Sequence, residues 1–173
     1  MPDFRVIFQN AIKKHKNNAL WDSGDYSEIK RISNTNVGSV GQDFIETVCT
    51  ELGIGFVIPL NKKNKVARSP WDIKILGVEF ELKTATEDTS GKFQFNHLRY
   101  HRKYDAALCL GVSPNDLYFN VWSKSDIATG KAGNLVSMEK GANASYKLTK
   151  AKNDLLSIDL FESTIREFVE SIK

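Results

Sequence analysis

In the stretch GVEFELKTA a carboxylate, Glu81, and an ammonium, Lys83, stand two residues apart, and Asp72 precedes them in WDIKIL. Side chains alternate faces along a strand, so Glu81 and Lys83 project to one side, about 7 Å apart along it. Both segments alternate apolar and polar residues, and Gly77 lies between them, which predicts a hairpin. Trp71, Ile73 and Ile75 share one face of the first strand, with Asp72 and Lys74 on the other. Val78, Phe80 and Leu82 oppose Glu79, Glu81 and Lys83 on the second. The polar faces can then meet, bringing two carboxylates and an ammonium together.

Hard oxygen ligands such as Asp72 and Glu81 suit Mg²⁺, which keeps several waters and also binds substrate phosphate. The main-chain carbonyl of Leu82 could add a third protein oxygen. Phosphodiester hydrolysis needs positive charge at the phosphoryl oxygens and an activated water, and Lys83 could orient or help to deprotonate that water. The residue types alone leave open a simpler reading, an exposed ladder of cross-strand charges worth a few tenths to about 1 kcal/mol per pair.

The elements that must hold this hairpin are read from hydrophobic periodicity. Val40, Phe44, Ile45, Val48, Cys49 and Leu52 recur at helical spacing. Ser39 and Gln42 have capping-box spacing, and Gly53 can end that helix in the left-handed conformation. Glu46 lies beside the apolar stripe, where it can look toward a neighbouring strand. An N-terminal helix is expected from Phe4 to about residue 17, followed over 18–38 by a polar, turn-rich stretch that forms an ordered connection or a short helix rather than core. GIGFVIPL, at about 53–60, reads as a strand, and NKKNKVAR as an exposed loop. FQFNHLRYHR, within 93–102, is expected to form a short helix. YDAALCLGV reads as a buried strand, SPND as a turn and LYFNVW as an alternating strand. Phe161, Ile165, Phe168, Val169 and Ile172 describe a closing helix. The expected class is α/β, a mixed central sheet flanked by helices, in a single domain over 1–173 with a catalytic core at 38–125.

Composition narrows the function. The 173 residues, 41% of them hydrophobic, suffice for a core. No apolar run is long enough to span a bilayer, and no secretory segment opens the chain. Cys49 and Cys109 lie in apolar stretches and read as buried free thiols of a cytoplasmic protein. There is no CxxC pair, which excludes a zinc site of the usual spacing. The net charge is only +3, but residues 61–103 hold ten basic and five acidic residues, and 124–152 six and two. Basic patches of this kind suit phosphate contacts, because neutralised phosphates release counterions.

SPWDIKILGVEFELKTA resembles the PD-(D/E)xK nuclease signature. The family's first acidic position falls on Asp72, with Trp71 inserted after Pro70; the second falls on Glu81 and the lysine on Lys83. The glutamate that many members carry on a preceding helix matches Glu46 in GQDFIETV. Through GKFQFNHLR and YDAALCLGVSPNDLYFNVWSK the chain is most similar to type II restriction endonucleases. It is more loosely similar to MutH-like mismatch-repair nicking enzymes, which share the helix glutamate and a GVELKT-like strand. The resemblance implies a restriction-endonuclease-like fold, a sequence-specific, Mg²⁺-dependent cleavage of double-stranded DNA with Mn²⁺ able to replace Mg²⁺, and catalytic roles for Asp72, Glu81, Lys83 and Glu46. Gln94, eleven residues after Lys83, is placed to link such a site to the scissile phosphate; otherwise it lies on a surface segment anchored by its phenylalanines.

For DNA contacts, Lys62, Lys63, Lys65 and Arg68 lie just upstream of the site, and Arg99, Arg102 and Lys103 form a second basic group, with His97 beside it. EKGANASYKLTK reads as a polar loop suited to a groove, through Asn143, Ser145 and Lys147. One catalytic centre per chain and two strands per duplex predict a homodimer on a near-palindromic site, with either terminal helix as contact surface. A strand-nicking repair enzyme and a catalytically silent DNA-binding module are the alternatives.

Overall fold

A computed structural model describes residues 21–61, 63, 65 and 68–173. The expected N-terminal helix and Lys62 lie outside the described residues.

The first long helix, α1 (Asn34–Glu51), starts six residues earlier than the Ser39 and Gln42 spacing suggests, with Ser33 as its cap. The Ser33 hydroxyl accepts from the Asn36 amide at 3.3 Å, while the Ser39 hydroxyl donates to the Thr35 carbonyl inside the helix. Val37, Gly41, Ile45 and Cys49 form its buried stripe. Gly53, at φ +64°, ends it in the left-handed conformation as expected.

The strands are β1 (Phe56–Val57), β2 (Ile73–Ile75), β3 (Val78–Thr86), β4 (Lys92–Leu98), β5 (Ala106–Val112), β6 (Leu117–Ser123), β7 (Leu135–Glu139), β8 (Ser145–Ala151) and β9 (Leu156–Ser157). Two short helices complete the fold, α2 (Lys124–Ala128) and α3 (Phe161–Ile172). Six strands form a central sheet in the order β1-β2-β3-β5-β6-β9, parallel between β3 and β5 and antiparallel elsewhere. β4, β8 and β7 form a separate antiparallel sheet. The class is thus α/β with a mixed central sheet flanked by helices, as the patterning predicts.

Alternation along the strands separates two cores. Ile73, Ile75, Phe80, Leu82 and Leu108 pack on one face with Ile45 and Cys49 of α1 and Phe161, Ile165 and Val169 of α3. Ala107 and Cys109 point the other way, into a core shared with Phe93, Phe95, Leu98 and Leu148 of the small sheet and Ile127 of α2. β5 is buried along its whole length because it lies between these layers. Cys49 and Cys109 are buried free thiols, as expected. Burial, with Glu46 nearby, raises the Cys49 thiol to about 11. No helix of the described residues is long and apolar enough to cross a membrane.

Three local expectations are corrected. The strand expected over 53–60 shrinks to Phe56–Val57, paired with β2. The segment 93–102 opens as strand β4, not a helix, because Phe93 and Phe95 alternate into the second core while β8 pairs with their backbone. The stretch 139–150 is largely strand rather than loop: after a short turn at Gly141–Asn143 the chain runs as β8 between β4 and β7.

Candidate active site

The β2–β3 hairpin turns through Leu76 at φ +49° and Gly77 at φ +91°, the double left-handed geometry of a tight hairpin. Its register pairs Ile73 with Phe80 and Lys74 with Glu79, whose side chains form a 3.0 Å ion pair. Just before β2, the Asp72 amide donates to the Phe80 carbonyl at 2.8 Å. β3 continues well past its partner, leaving the edge beyond Phe80 uncovered by β2. The Asp72 carboxylate fills that gap, its Oδ2 accepting from the Leu82 amide at 2.8 Å. A strand residue sends its N–H and C=O to the same side, so the Leu82 carbonyl leaves along this edge too.

Glu81 is only 2% exposed. A buried carboxylate needs partners. It has them: the Lys83 Nζ lies 2.9 Å from Oε1, and the Arg99 amide donates to Oε2 at 3.3 Å. Glu81 and Lys83 therefore share a face, as strand geometry predicts, and meet as an ion pair.

Helix α1 brings the next carboxylate. The Gln42 amide donates to Glu46 Oε1 at 2.7 Å and to the Asp72 carbonyl at 3.4 Å, tying the helix to the start of β2. Gln42, Glu46, Arg68, Asp72, Leu82 and Lys83 line an open cleft of about 450 Å³. A second cleft of about 400 Å³, lined by Lys30, Asp88, Gln94, Asn96 and His97 among others, shares Leu82 and Lys83 with the first. Lys83 stands at the junction of the two.

Burial raises the Asp72 carboxyl above its ordinary value; the Leu82 amide and the Lys83 ammonium oppose this, while Glu81 reinforces it. Tyr104, buried beside Glu81, has its phenol driven up by desolvation and by that carboxylate. At the far cleft, hydrogen bonds from Ser90, Gln94 and Lys92 overcome desolvation and hold Asp88 well below the usual carboxylate range.

No family model matches the chain. No curated protein matches it either. Among solved structures it is similar to a bacterial homing endonuclease, at 14% identity and a TM-score of 0.44, over 69% of this chain and 75% of that one. A likeness this distant assigns neither a reaction nor a substrate.

Among the described residues no group of three or more His, Cys, Asp or Glu side chains forms a ligand cluster. The oxygens nearest the cleft are those of Asp72, the Leu82 carbonyl and Glu46, while Glu81, held by Lys83 and the Arg99 amide, stands buried behind them. So small a set of hard donors fits Mg²⁺, which retains waters and uses one or two carboxylates, better than Ca²⁺, which takes six to eight oxygens.

The remaining sequence candidates fall in four places. Lys63, Lys65 and Arg68 are exposed, and Arg68 lines the first cleft. Gln94 reaches the second cleft, but its amide donates to Asp88 at 2.9 Å rather than to Asp72 or Glu81. Lys103 is exposed and Arg102 half-buried, its charge felt at Asp72. Arg99 is engaged by Glu139 at 3.2 Å. Asn143 is exposed in the turn before β8, and Lys147 is half-buried on that strand. Ser145 is fully buried, its hydroxyl donating to Glu139 Oε2 at 3.1 Å and lying 3.3 Å from His97 Nδ1, so in this fold it presents nothing to a DNA groove.

Sequence reasoning missed Gln42 as a link between Glu46 and Asp72, though its i, i+4 spacing to Glu46 is a legible signal. It also missed the backbone amide of Arg99 on Glu81, for which no residue type gives a signal.

Proposed function

We propose that this chain is a Mg²⁺-dependent endonuclease that hydrolyses phosphodiester bonds of double-stranded DNA at specific sites, in the manner of a type II restriction enzyme. The observation that carries the reading is the meeting of Asp72, at the uncovered edge of β3, with the buried Glu81–Lys83 ion pair on that strand, beside an open cleft lined by Asp72 and Lys83.

Asp72 and Glu81, with the Leu82 carbonyl, would hold Mg²⁺, and Mn²⁺ is expected to substitute. Bound there, the ion supplies positive charge to the phosphoryl oxygens and makes a water more acidic. The chain's own groups do the rest. Lys83, anchored by Glu81, would donate to a phosphoryl oxygen and orient the attacking water. Glu46, held by Gln42, offers a carboxylate on the same cleft wall to accept a hydrogen bond or a proton from that water. Arg68, on the cleft, and the exposed Lys63 and Lys65 upstream of it would take phosphates of the strand being cut. Two chains, one per strand, would cut a duplex on both sides.

Incubation with supercoiled plasmid and MgCl₂ tests the reading through the topology of the products. Linear DNA with ends at one recurrent sequence supports the restriction-type activity. Open-circular product that is never linearised favours a strand-nicking enzyme, and binding without any metal-dependent cut favours a silent DNA-binding module.

A further inference from the structure

The small sheet has a wet face, and we propose that this face, formed by β4, β8 and β7, reads base edges in the DNA major groove. This rests on the endonuclease reading and supplies what that reading lacks, a surface for sequence recognition.

The faces are set by register. Phe93, Phe95 and Leu148 point into the second core. Lys92, Gln94 and Asn96 therefore point outward on β4, and all three are exposed. On β8, Thr149 pairs with Gln94 and Lys147 pairs with Val136 of β7, so both belong to the same outward face. Val136 is 49% exposed there. The face thus carries two lysines, two carboxamides, a hydroxyl and one apolar residue.

That chemistry matches a major groove. Carboxamides pair with adenine edges, lysine with guanine, a threonine hydroxyl with either donors or acceptors, and apolar groups with the thymine methyl. Three strands span two inter-strand spacings, about 10 Å, against a groove about 12 Å wide. The positive charge of Lys92 and Lys147 suits a polyanion. The Gln94 amide is engaged by Asp88, which leaves its carbonyl oxygen to accept.

The face is also continuous with the reaction centre. Gln94 and Asn96 line the cleft that contains Lys83. A duplex laid on this sheet would bring a neighbouring phosphate toward the catalytic edge of β3. The bulge between Phe95 and Leu98, with His97 at φ +58°, turns the strand at the point where the two surfaces meet. Bulges of this kind commonly re-aim side chains beside active sites.

The test is selection of bound duplexes from a pool with randomised central base pairs, in EDTA at fixed salt, for the wild type and for Asn96→Ala, Thr149→Val and Lys147→Ala. The wild type is expected to enrich one motif. Asn96→Ala and Thr149→Val should each relax a base position by about five- to a hundredfold, the range for one lost base contact, while binding to unselected duplex stays within about twofold. Lys147→Ala should relax a further position or weaken the whole motif. An unchanged motif in all three variants, or no motif for the wild type, would overturn the proposal. Because EDTA removes cleavage from the readout, a motif that shifts with these variants in a protein that never cuts DNA contradicts the nuclease reading and leaves this one standing.

Discussion

A Cβ added to Gly41 of α1 would lie 1.8 Å from the Thr84 hydroxyl oxygen of β3. The helix rests its backbone directly on β3, and one residue later Gln42 reaches Asp72. Gly41→Ala must push α1 away from β3 and should destabilise the fold by about 1–3 kcal/mol, the usual cost of overpacking. Gly38, one turn earlier with open space around it, is the contrast: Gly38→Ala should stabilise by about 0.5–1 kcal/mol through helix propensity. Thermal melts of the two variants check the pair, and equal melting temperatures would contradict the close packing.

Asp72 sets a pH dependence. Its folded pKa is raised by burial, so its favourable contribution to stability is present at low pH and is lost as pH rises through that raised value. In EDTA, Asp72→Asn should therefore melt higher than the wild type at pH 7, with the gap closing as pH falls through the carboxylate range. Added MgCl₂ should stabilise the wild type more at pH 8 than at pH 5 and should do little for Asp72→Asn. A variant that melts lower than the wild type at every pH would contradict this account of Asp72.

Glu46 and Gln42 act as a unit in this geometry. Glu46→Gln should lower turnover more than DNA affinity, and Gln42→Ala should show the same pattern with a smaller loss. Single-turnover cleavage at limiting Mg²⁺, set beside DNA titrations, separates the two quantities. A wild-type rate for Glu46→Gln under those conditions would place Glu46 outside the site.

Arg99 holds Glu81 through its backbone and Glu139 through its side chain, and Ser145 and His97 close on the same Glu139 carboxylate. The cluster positions the segment that caps Glu81. Glu139→Gln should raise the Mg²⁺ concentration needed for half-maximal rate, or lower the rate, by about 10- to 100-fold, as losses of residues behind metal ligands do. A Mg²⁺ titration of cleavage checks it; an unaltered titration would assign Glu139 to surface structure alone.

The legible parts of this protein are those whose information is local. The β2–β3 hairpin could be read because both strands alternate strictly and Gly77 supplies the turn, so the faces of Asp72, Glu81 and Lys83 followed from parity. Helix α1 was equally plain from its apolar stripe, although its start moved to Ser33 because the cap hydrogen bond, not the stripe, decides where a helix begins. β4 was not legible: Phe93, Phe95 and Leu98 suit a short helix or a strand, and the choice is made by pairing with β8, some fifty residues later in the chain. β8 was read as a loop because Lys147, Thr149 and Lys150 are polar and only Leu148 signals burial. The contact between Glu81 and the Arg99 amide is made by backbone, which carries no side-chain signature.

The most direct test of the central claim compares wild-type protein with Glu81→Gln and Lys83→Ala on a pool of long duplex DNA, with MgCl₂ and with EDTA. Lys83→Ala takes one of two partners from the buried Glu81 carboxylate and is expected to lower stability, so a circular dichroism melt first establishes that each variant is folded at the assay temperature. The account predicts cleavage by the wild type in Mg²⁺ only, and loss of nearly all of it in both folded variants. Undiminished Mg²⁺-dependent cleavage by either folded variant would contradict the assignment of the site to the edge of β3.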